Sequence, residues 1–150
     1  MSISLVLADD HPLTREGMKA YLAKETDFNI LGSYADGESA WAGIQQLKPQ
    51  VALLDIRMPG IDGVALARKI KDASLPVASL MLTSYDAQQY VMASLRAGAR
   101  GYVLKTASMD TLSKAIRIVA RGGFYLDSEV ANAVEQEGDF VPEPVSVRER

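Results

Sequence analysis

Residues 51–63 read Val-Ala-Leu-Leu-Asp-Ile-Arg-Met-Pro-Gly-Ile-Asp-Gly. Four apolar residues follow one another without alternation, as in a strand covered on both faces, and the run stops on a carboxylate, Asp55. Pro59-Gly60 and Asp62-Gly63 supply turn chemistry. Beyond them Leu66, Ala67 and Ile70 recur at helical spacing. The stretch is therefore a buried strand, a turn and an amphipathic helix.

The same unit recurs on both sides. Apolar runs lie at Ile3–Ala8, Phe28–Tyr34, Val51–Leu54, Val77–Leu82 and Gly101–Leu104. Helical stripes follow them: Leu13, Met18, Tyr21 and Leu22; Trp41, Ile44 and Leu47; the one above; Val91, Met92 and Leu95; Leu112, Ala115, Ile116 and Val119. Pro12 falls where a first helical turn begins, after a candidate Asp10 cap, and Lys48-Pro49, Leu75-Pro76 and Ala97-Gly98 mark helix ends. Trp41, Met18, Met81 and Met92 read as core packing. The fold class is α/β, a doubly wound (βα)5 arrangement around a parallel five-stranded sheet of order 2-1-3-4-5, since right-handed crossovers place helices on both faces. In such sheets ligands bind outside the carboxyl ends of the strands.

Composition bounds the function. The 150 residues are 48% hydrophobic, enough for one ordinary core. With no cysteine, disulfides, thiolate metal sites and cysteine nucleophiles are excluded. The first apolar run is too short for a signal peptide or a membrane span, so a cytoplasmic protein without membrane contact is expected. The net charge of −3 resides in residues 135–150, where five acidic groups face two basic ones. The preceding residues are balanced and carry no basic stripe suited to DNA. Past Gly122-Gly123 the patterning weakens; residues 128–136 read as one further short helix and 137–146 as an acidic, proline-containing linker.

Chemistry concentrates at the strand ends. Asp9 and Asp10 follow the first strand, Asp55 ends the third, Thr83 ends the fourth and Lys105 follows the fifth. Three converging carboxylates repel one another, and a hard divalent cation relieves that repulsion. Mg²⁺ takes about six oxygen ligands and commonly shares them between carboxylates, water and phosphate. Asp10 and Asp55 are placed to bind it directly, the Arg57 backbone carbonyl from the loop, and Asp9 through water. Lys105 and the Thr83 hydroxyl can serve the oxygens of a transferring phosphoryl group, a reaction that asks mainly for positioning and charge stabilisation. A carboxylate nucleophile, here Asp55, yields an aspartyl phosphate. His11, the single histidine, reads as a surface residue near the helix start, and Arg57 and Tyr85 as the pocket border.

Four segments, LVLADDHP, VALLDIRMPGIDG, MLTS and GARGYVLK, together resemble the receiver domain of bacterial two-component response regulators over about residues 1–121. The resemblance implies Asp55 as phosphoacceptor, Asp9 and Asp10 as the acidic Mg²⁺ pair, Thr83 as switch hydroxyl and Lys105 as the phosphate-contacting lysine. It also implies Tyr102 as a switch aromatic that swings from exposed to buried. A sensor histidine kinase is the implied phosphoryl donor, and a phosphorylation-dependent homodimer an implied output. The chain would then be a signalling phosphoacceptor, not an enzyme beyond assisting its own phosphorylation and dephosphorylation. ADDHPLTREGM and GGFYLDSEVANAV further resemble the NarL/FixJ subgroup, in which a LuxR-type helix-turn-helix domain follows. Ser146-Val147-Arg148-Glu149-Arg150 is similar to that domain's opening Ser/Thr-x-Arg-Glu. The expected organisation is a receiver at 1–121, an extra helix and linker at 122–145, and the first residues of a truncated DNA-binding domain at 146–150, with DNA contacted only through that domain.

Three other classes compete. An aspartyl phosphatase of the haloacid-dehalogenase kind wants a second Asp two residues after its nucleophile, where this chain has Arg57. A flavodoxin-like FMN binder wants a phosphate loop after the first strand, where this chain has carboxylates. A phosphate-independent receiver-like interaction module is the remaining alternative, and the five site residues argue against it.

Overall fold

A computed structural model describes residues 2–84 and 88–127. The sheet comprises β1 (Ile3–Ala8), β2 (Phe28–Tyr34), β3 (Val51–Asp55), β4 (Ala78–Thr83), β5 (Gly101–Leu104) and β6 (Tyr125–Leu126). Helices α1 (Pro12–Ala23), α2 (Gly37–Leu47), α3 (Gly63–Asp72), α4 (Gln88–Arg96) and α5 (Met109–Ala120) connect them. All neighbouring strands pair in parallel, in the order β2-β1-β3-β4-β5-β6. The expected order holds for five strands; the sixth is a correction. Two residues after a Gly-Gly pair carry no periodicity to read. They join the sheet by pairing Gly101 with Tyr125 and Tyr102 with Leu126.

Alternate residues of each central strand enter opposite cores, which is why the runs look uniformly apolar. Val6, Ala8, Ala52, Leu54 and Met81 pack with Ala40 and Ile44 of α2, Leu66 and Ile70 of α3, and Val91 and Leu95 of α4. Leu5, Leu7, Leu53, Leu80 and Val103 pack with Met18 and Leu22 of α1 and with Leu112, Ile116 and Val119 of α5. Each of the Val, Leu, Ile and Met side chains among them contributes about 1.5–3 kcal/mol by leaving water. Two stripe residues fall outside this scheme: Leu13 is 90% exposed and Leu47 is 37% exposed, each in the terminal turn of its helix.

Local signals set the element ends. The N-cap of the first helix is His11, which makes no side-chain cap bond, and not Asp10 as expected; Pro12 lies in the first turn. Pro12 disfavours the helical region for its predecessor, and His11 accordingly lies at φ −94°, ψ 108°. Asp36, Asp62 and Ser108 cap α2, α3 and α5 through side-chain oxygens. The loop between β3 and α3 turns at Gly60 (φ +74°) and closes where Gly63 N donates to Ile56 O at 2.9 Å. A Cβ on Gly63 would collide with the Asp55 carbonyl oxygen, so glycine is what lets α3 start against the end of β3. Residues 128–150, including the expected extra helix, the linker and the 146–150 motif, lie outside the described residues, as does Tyr85.

Gly101 and Gly17 form a contrasting pair. A Cβ on Gly101 would lie 2.6 Å from Leu80 Cδ1 and 3.0 Å from the Tyr125 carbonyl oxygen, whereas one on Gly17 meets nothing within 4 Å. In urea denaturation Gly101→Ala is expected to lower stability by about 1–2 kcal/mol through overpacking. Gly17→Ala is expected to raise it by about 0.5–1 kcal/mol through helix propensity.

Candidate functional site

Strand register alone brings the predicted residues to one edge. Ala8 pairs with Leu54, so Asp9 and Asp55 end neighbouring strands at the same level. Asp55 pairs with Leu82, which places Thr83 one step further along β4. Thr83 pairs with Leu104, and Lys105 follows, its N–H donating to the Thr83 carbonyl oxygen at 2.7 Å. Asp9, Asp10, Asp55, Thr83 and Lys105 thus share the carboxyl edge of the sheet.

Contacts within this edge are short. Lys105 Nζ lies 2.9 Å from Asp9 Oδ2 and donates to Asp55 Oδ2 at 3.2 Å. Asp9 is fully buried, and its Oδ1 accepts from the His11 backbone N–H at 2.9 Å. His11 Nδ1 stands 3.1 Å from the same oxygen, 3.2 Å from Asp10 Oδ1 and 3.8 Å from Asp55 Oδ2. The His11 ring is 64% exposed, as the sequence reading holds, but one edge of it is turned onto all three carboxylates. The sequence offered no sign of this beyond the position of His11 after the acidic pair. Arg15 Nη1 further anchors the turn by donating to the Asp9 carbonyl oxygen at 2.6 Å.

Three expected residues stand around this centre. Thr83 is buried, at 1% exposure, where β4 ends. The exposed Arg57 side chain donates to Tyr90 Oη on α4 at 3.2 Å. With Asp10, Met58 and Asp62 these two residues line an open groove of about 400 Å³. The ring of Tyr102 is fully buried on the α4 side of the sheet. The exposed starting position expected for it is therefore not the one adopted, because Leu126 of β6 pairs alongside and the core closes over the ring.

The donor set suits a divalent cation. One ligand atom each from Asp9, Asp10, His11 and Asp55 lie within 4.8 Å of one another. Asp9 Oδ2 and Asp10 Oδ1 are both buried with no hydrogen-bond donor directed at them. Oxygen valency is therefore left within the carboxylate cluster for an added ion.

Comparison with known proteins agrees with this geometry. The response regulator receiver domain model matches residues 5–117. The chain belongs to the response regulator receiver family. The receiver is 38% identical to the transcriptional regulatory protein DegU of Brevibacillus brevis over 135 residues, 90% of this chain and 57% of DegU. The chain thus spans little more than half the length of that relative. It superposes on the receiver domain of the putative response regulator NarL from Mycobacterium tuberculosis with a TM-score of 0.79 at 36% identity, covering 81% of this chain and 98% of that one. A structure of two RcsB dimers bound to two parallel DNAs matches with a TM-score of 0.82 at 25% identity, over 90% of this chain and 69% of that one. The receiver is of the NarL/LuxR type. Among its described residues no helix is long and apolar enough to cross a membrane.

Electrostatics divide the receiver's carboxylates. Burial pushes Asp55 up from an ordinary 3.8 to about 6; Lys105 opposes the rise and the neighbouring Asp9 adds to it. Burial also penalises the charge on Asp9, but the His11 N–H and Lys105 outweigh it and hold that carboxyl below its usual range. Lys105 loses solvation, yet Asp9 and Asp55 hold its ammonium form above the usual lysine range. Asp9 and Lys105 thus form a fixed ion pair, and Asp55 is the carboxylate left short of positive charge.

The folded pKa of Asp55 exceeds its unfolded value, so the folded state holds a proton that the unfolded state releases between about pH 4 and pH 6. Stability from this group is present below that window and lost as pH rises through it. With EDTA present, Asp55→Asn is expected to be more stable than the native chain by about 1–3 kcal/mol at pH 7.5. The difference should vanish near pH 4, as measured by urea denaturation at each pH.

Proposed function

We propose that this receiver accepts a phosphoryl group on Asp55 in a Mg²⁺-dependent reaction and that the resulting charge is its signal. The observation that carries the reading is the placing of Lys105 Nζ 3.2 Å from the Oδ2 of a buried Asp55 that shares its strand-end cluster with two further carboxylates, Asp9 and Asp10. Such an arrangement is short of one divalent cation and suited to a dianionic group. The donor is a phosphohistidine on a sensor histidine kinase, as the family resemblance suggests.

Each residue has a distinct task. Asp10 and Asp55, with the Arg57 backbone carbonyl, would hold Mg²⁺, and Asp9 would add its charge beside them. When bound, Mg²⁺ neutralises the carboxylates and the non-bridging phosphoryl oxygens. An Asp55 carboxylate oxygen attacks phosphorus; the P–N bond to the kinase histidine breaks, and the electron pair leaves with the imidazole. Lys105 remains cationic and stabilises the transferring oxygens, since Asp9 keeps it protonated. The Thr83 hydroxyl donates to a further oxygen of the acyl phosphate.

Phosphorylation adds about −1.5 to −2 charge at this edge. It biases two arrangements of the Thr83 and Tyr102 side chains only as far as its contacts differ between them. With Tyr102 already inside in this structure, the phosphate would hold the buried arrangement in place. The output is a phosphorylation-dependent homodimer, acting on transcription through a DNA-binding domain C-terminal to the receiver, in the cytoplasm.

Intact mass after incubation with acetyl phosphate tests the acceptor. The native chain is expected to gain one phosphoryl mass with Mg²⁺ and none with EDTA, and Asp55→Ala none in either. Lys105→Met is expected to slow the gain by about 10²-fold, the cost of removing one preorganised transition-state contact. A fully folded native chain that gains no mass and fails to bind beryllofluoride would point instead to a phosphate-independent interaction module.

A further inference from the structure

We infer that His11 is a nitrogen ligand of the divalent-cation site, so that the site prefers transition-metal cations of the Co²⁺ and Zn²⁺ class over an oxygen-only site of the same shape. The inference rests on the reading that Asp10 and Asp55 hold a divalent cation, and it extends the donor set from oxygen alone to oxygen and nitrogen.

Three observations carry it. First, His11 Nδ1 lies within 3.8 Å of a carboxylate oxygen of each of Asp9, Asp10 and Asp55. These atoms belong to a set whose members are all within 4.8 Å of one another, the spacing of ligands around one ion. Second, the imidazole is held in place by its backbone. His11 caps α1 in an extended conformation, Pro12 keeps it there, and its N–H is fixed to Asp9 Oδ1 at 2.9 Å. Third, the buried Asp9 Oδ2, 2.9 Å from Lys105 Nζ, and the buried Asp10 Oδ1 both lack a hydrogen-bond donor directed at them, which leaves lone pairs for an ion.

The chemistry follows from the donor atom. His11 Nδ1 lies 3.1 Å from Asp9 Oδ1, a contact that a metal-ligating nitrogen would exchange for the cation. An imidazole ligand offers the lone pair of one ring nitrogen and carries its proton on the other. The 64% exposure of the side chain leaves Nε2–H free to bond water. Imidazole suits Co²⁺, Ni²⁺, Cu²⁺ and Zn²⁺, while Mg²⁺ gains little from exchanging a water oxygen for nitrogen. Asp9, held by Lys105, then becomes the group that orients the ligating histidine turn.

A structural role for His11 predicts something different. If its ring only braces the turn between β1 and α1, removing it disturbs every cation equally. The full 150-residue chain, His11→Ala and His11→Asn are therefore titrated calorimetrically with Mg²⁺ alone and with Co²⁺ alone. Proton NMR of the Co²⁺ form is the second readout, and the single histidine makes it unambiguous. The expected result is a loss of about tenfold or more in Co²⁺ affinity in His11→Ala, with Mg²⁺ affinity within about twofold of native. Strongly shifted imidazole resonances should appear in the native Co²⁺ form. An equal loss for both cations, or no loss for either, overturns the assignment of His11 while leaving the carboxylate site standing. Failure of the native chain to bind either cation overturns both.

Discussion

Lys105 Nζ stands between two buried carboxylates, 2.9 Å from Asp9 and 3.2 Å from Asp55. One ammonium cannot balance two carboxylates, and Asp10 adds a third negative group at the same edge. The imbalance falls on Asp55, whose proton affinity is raised while that of Asp9 is lowered. The difference arises from hydrogen bonding: Asp9 receives the His11 backbone N–H in addition to pairing with Lys105, whereas Asp55 has Lys105 alone to set against its burial and the charge on Asp9. A site in this condition favours whatever brings positive charge to Asp55, whether a proton or a divalent cation.

The rest of the fold serves to hold that edge open without closing it with side chains. Parallel register places Asp9, Asp55, Thr83 and Lys105 at successive strand ends, and the two apolar cores fix the register from both faces. A one-residue slip of β3 would exchange its core-facing sets and misplace Asp55 together with them. The loop between β3 and α3 is held by the Gly60 turn, by Gly63 against the Asp55 carbonyl and by the Asp62 cap, so the backbone beside Asp55 is preorganised. Arg57 and Tyr90 connect that loop to α4, and Tyr102 lies in the core on the same side of the sheet. Direct contacts therefore connect the carboxylate edge with the α4 side.

β6 extends the sheet beside Tyr102. Its two residues pair with Gly101 and Tyr102, and Asp127 N donates to the Tyr102 carbonyl oxygen at 3.3 Å. The backbone of the expected switch residue is thus the backbone to which the following segment is attached. The burial of Tyr102 is consistent with this, since a ring swung outwards would have to leave a core that β6 helps to complete.

Sequence alone determined the alternation of strands and helices, the strand order of the first five strands and the gathering of Asp9, Asp10, Asp55, Thr83 and Lys105 at one edge. It could do so because strands buried on both faces and helices buried on one leave different periodicities, and because a parallel sheet aligns its strand ends. The family was legible for the same reason, its motifs being those strand ends. Tertiary structure decided what depends on direction and on neighbours. His11 looked like a surface residue because exposure of a ring says nothing about where its nitrogen points; the extended backbone before Pro12 aims it at the carboxylates. Leu13 looked like core because periodicity does not show that the terminal turn of a helix is exposed. β6 was invisible because two residues have no period, and they become a strand only through the hydrogen bonds that β5 offers at its edge.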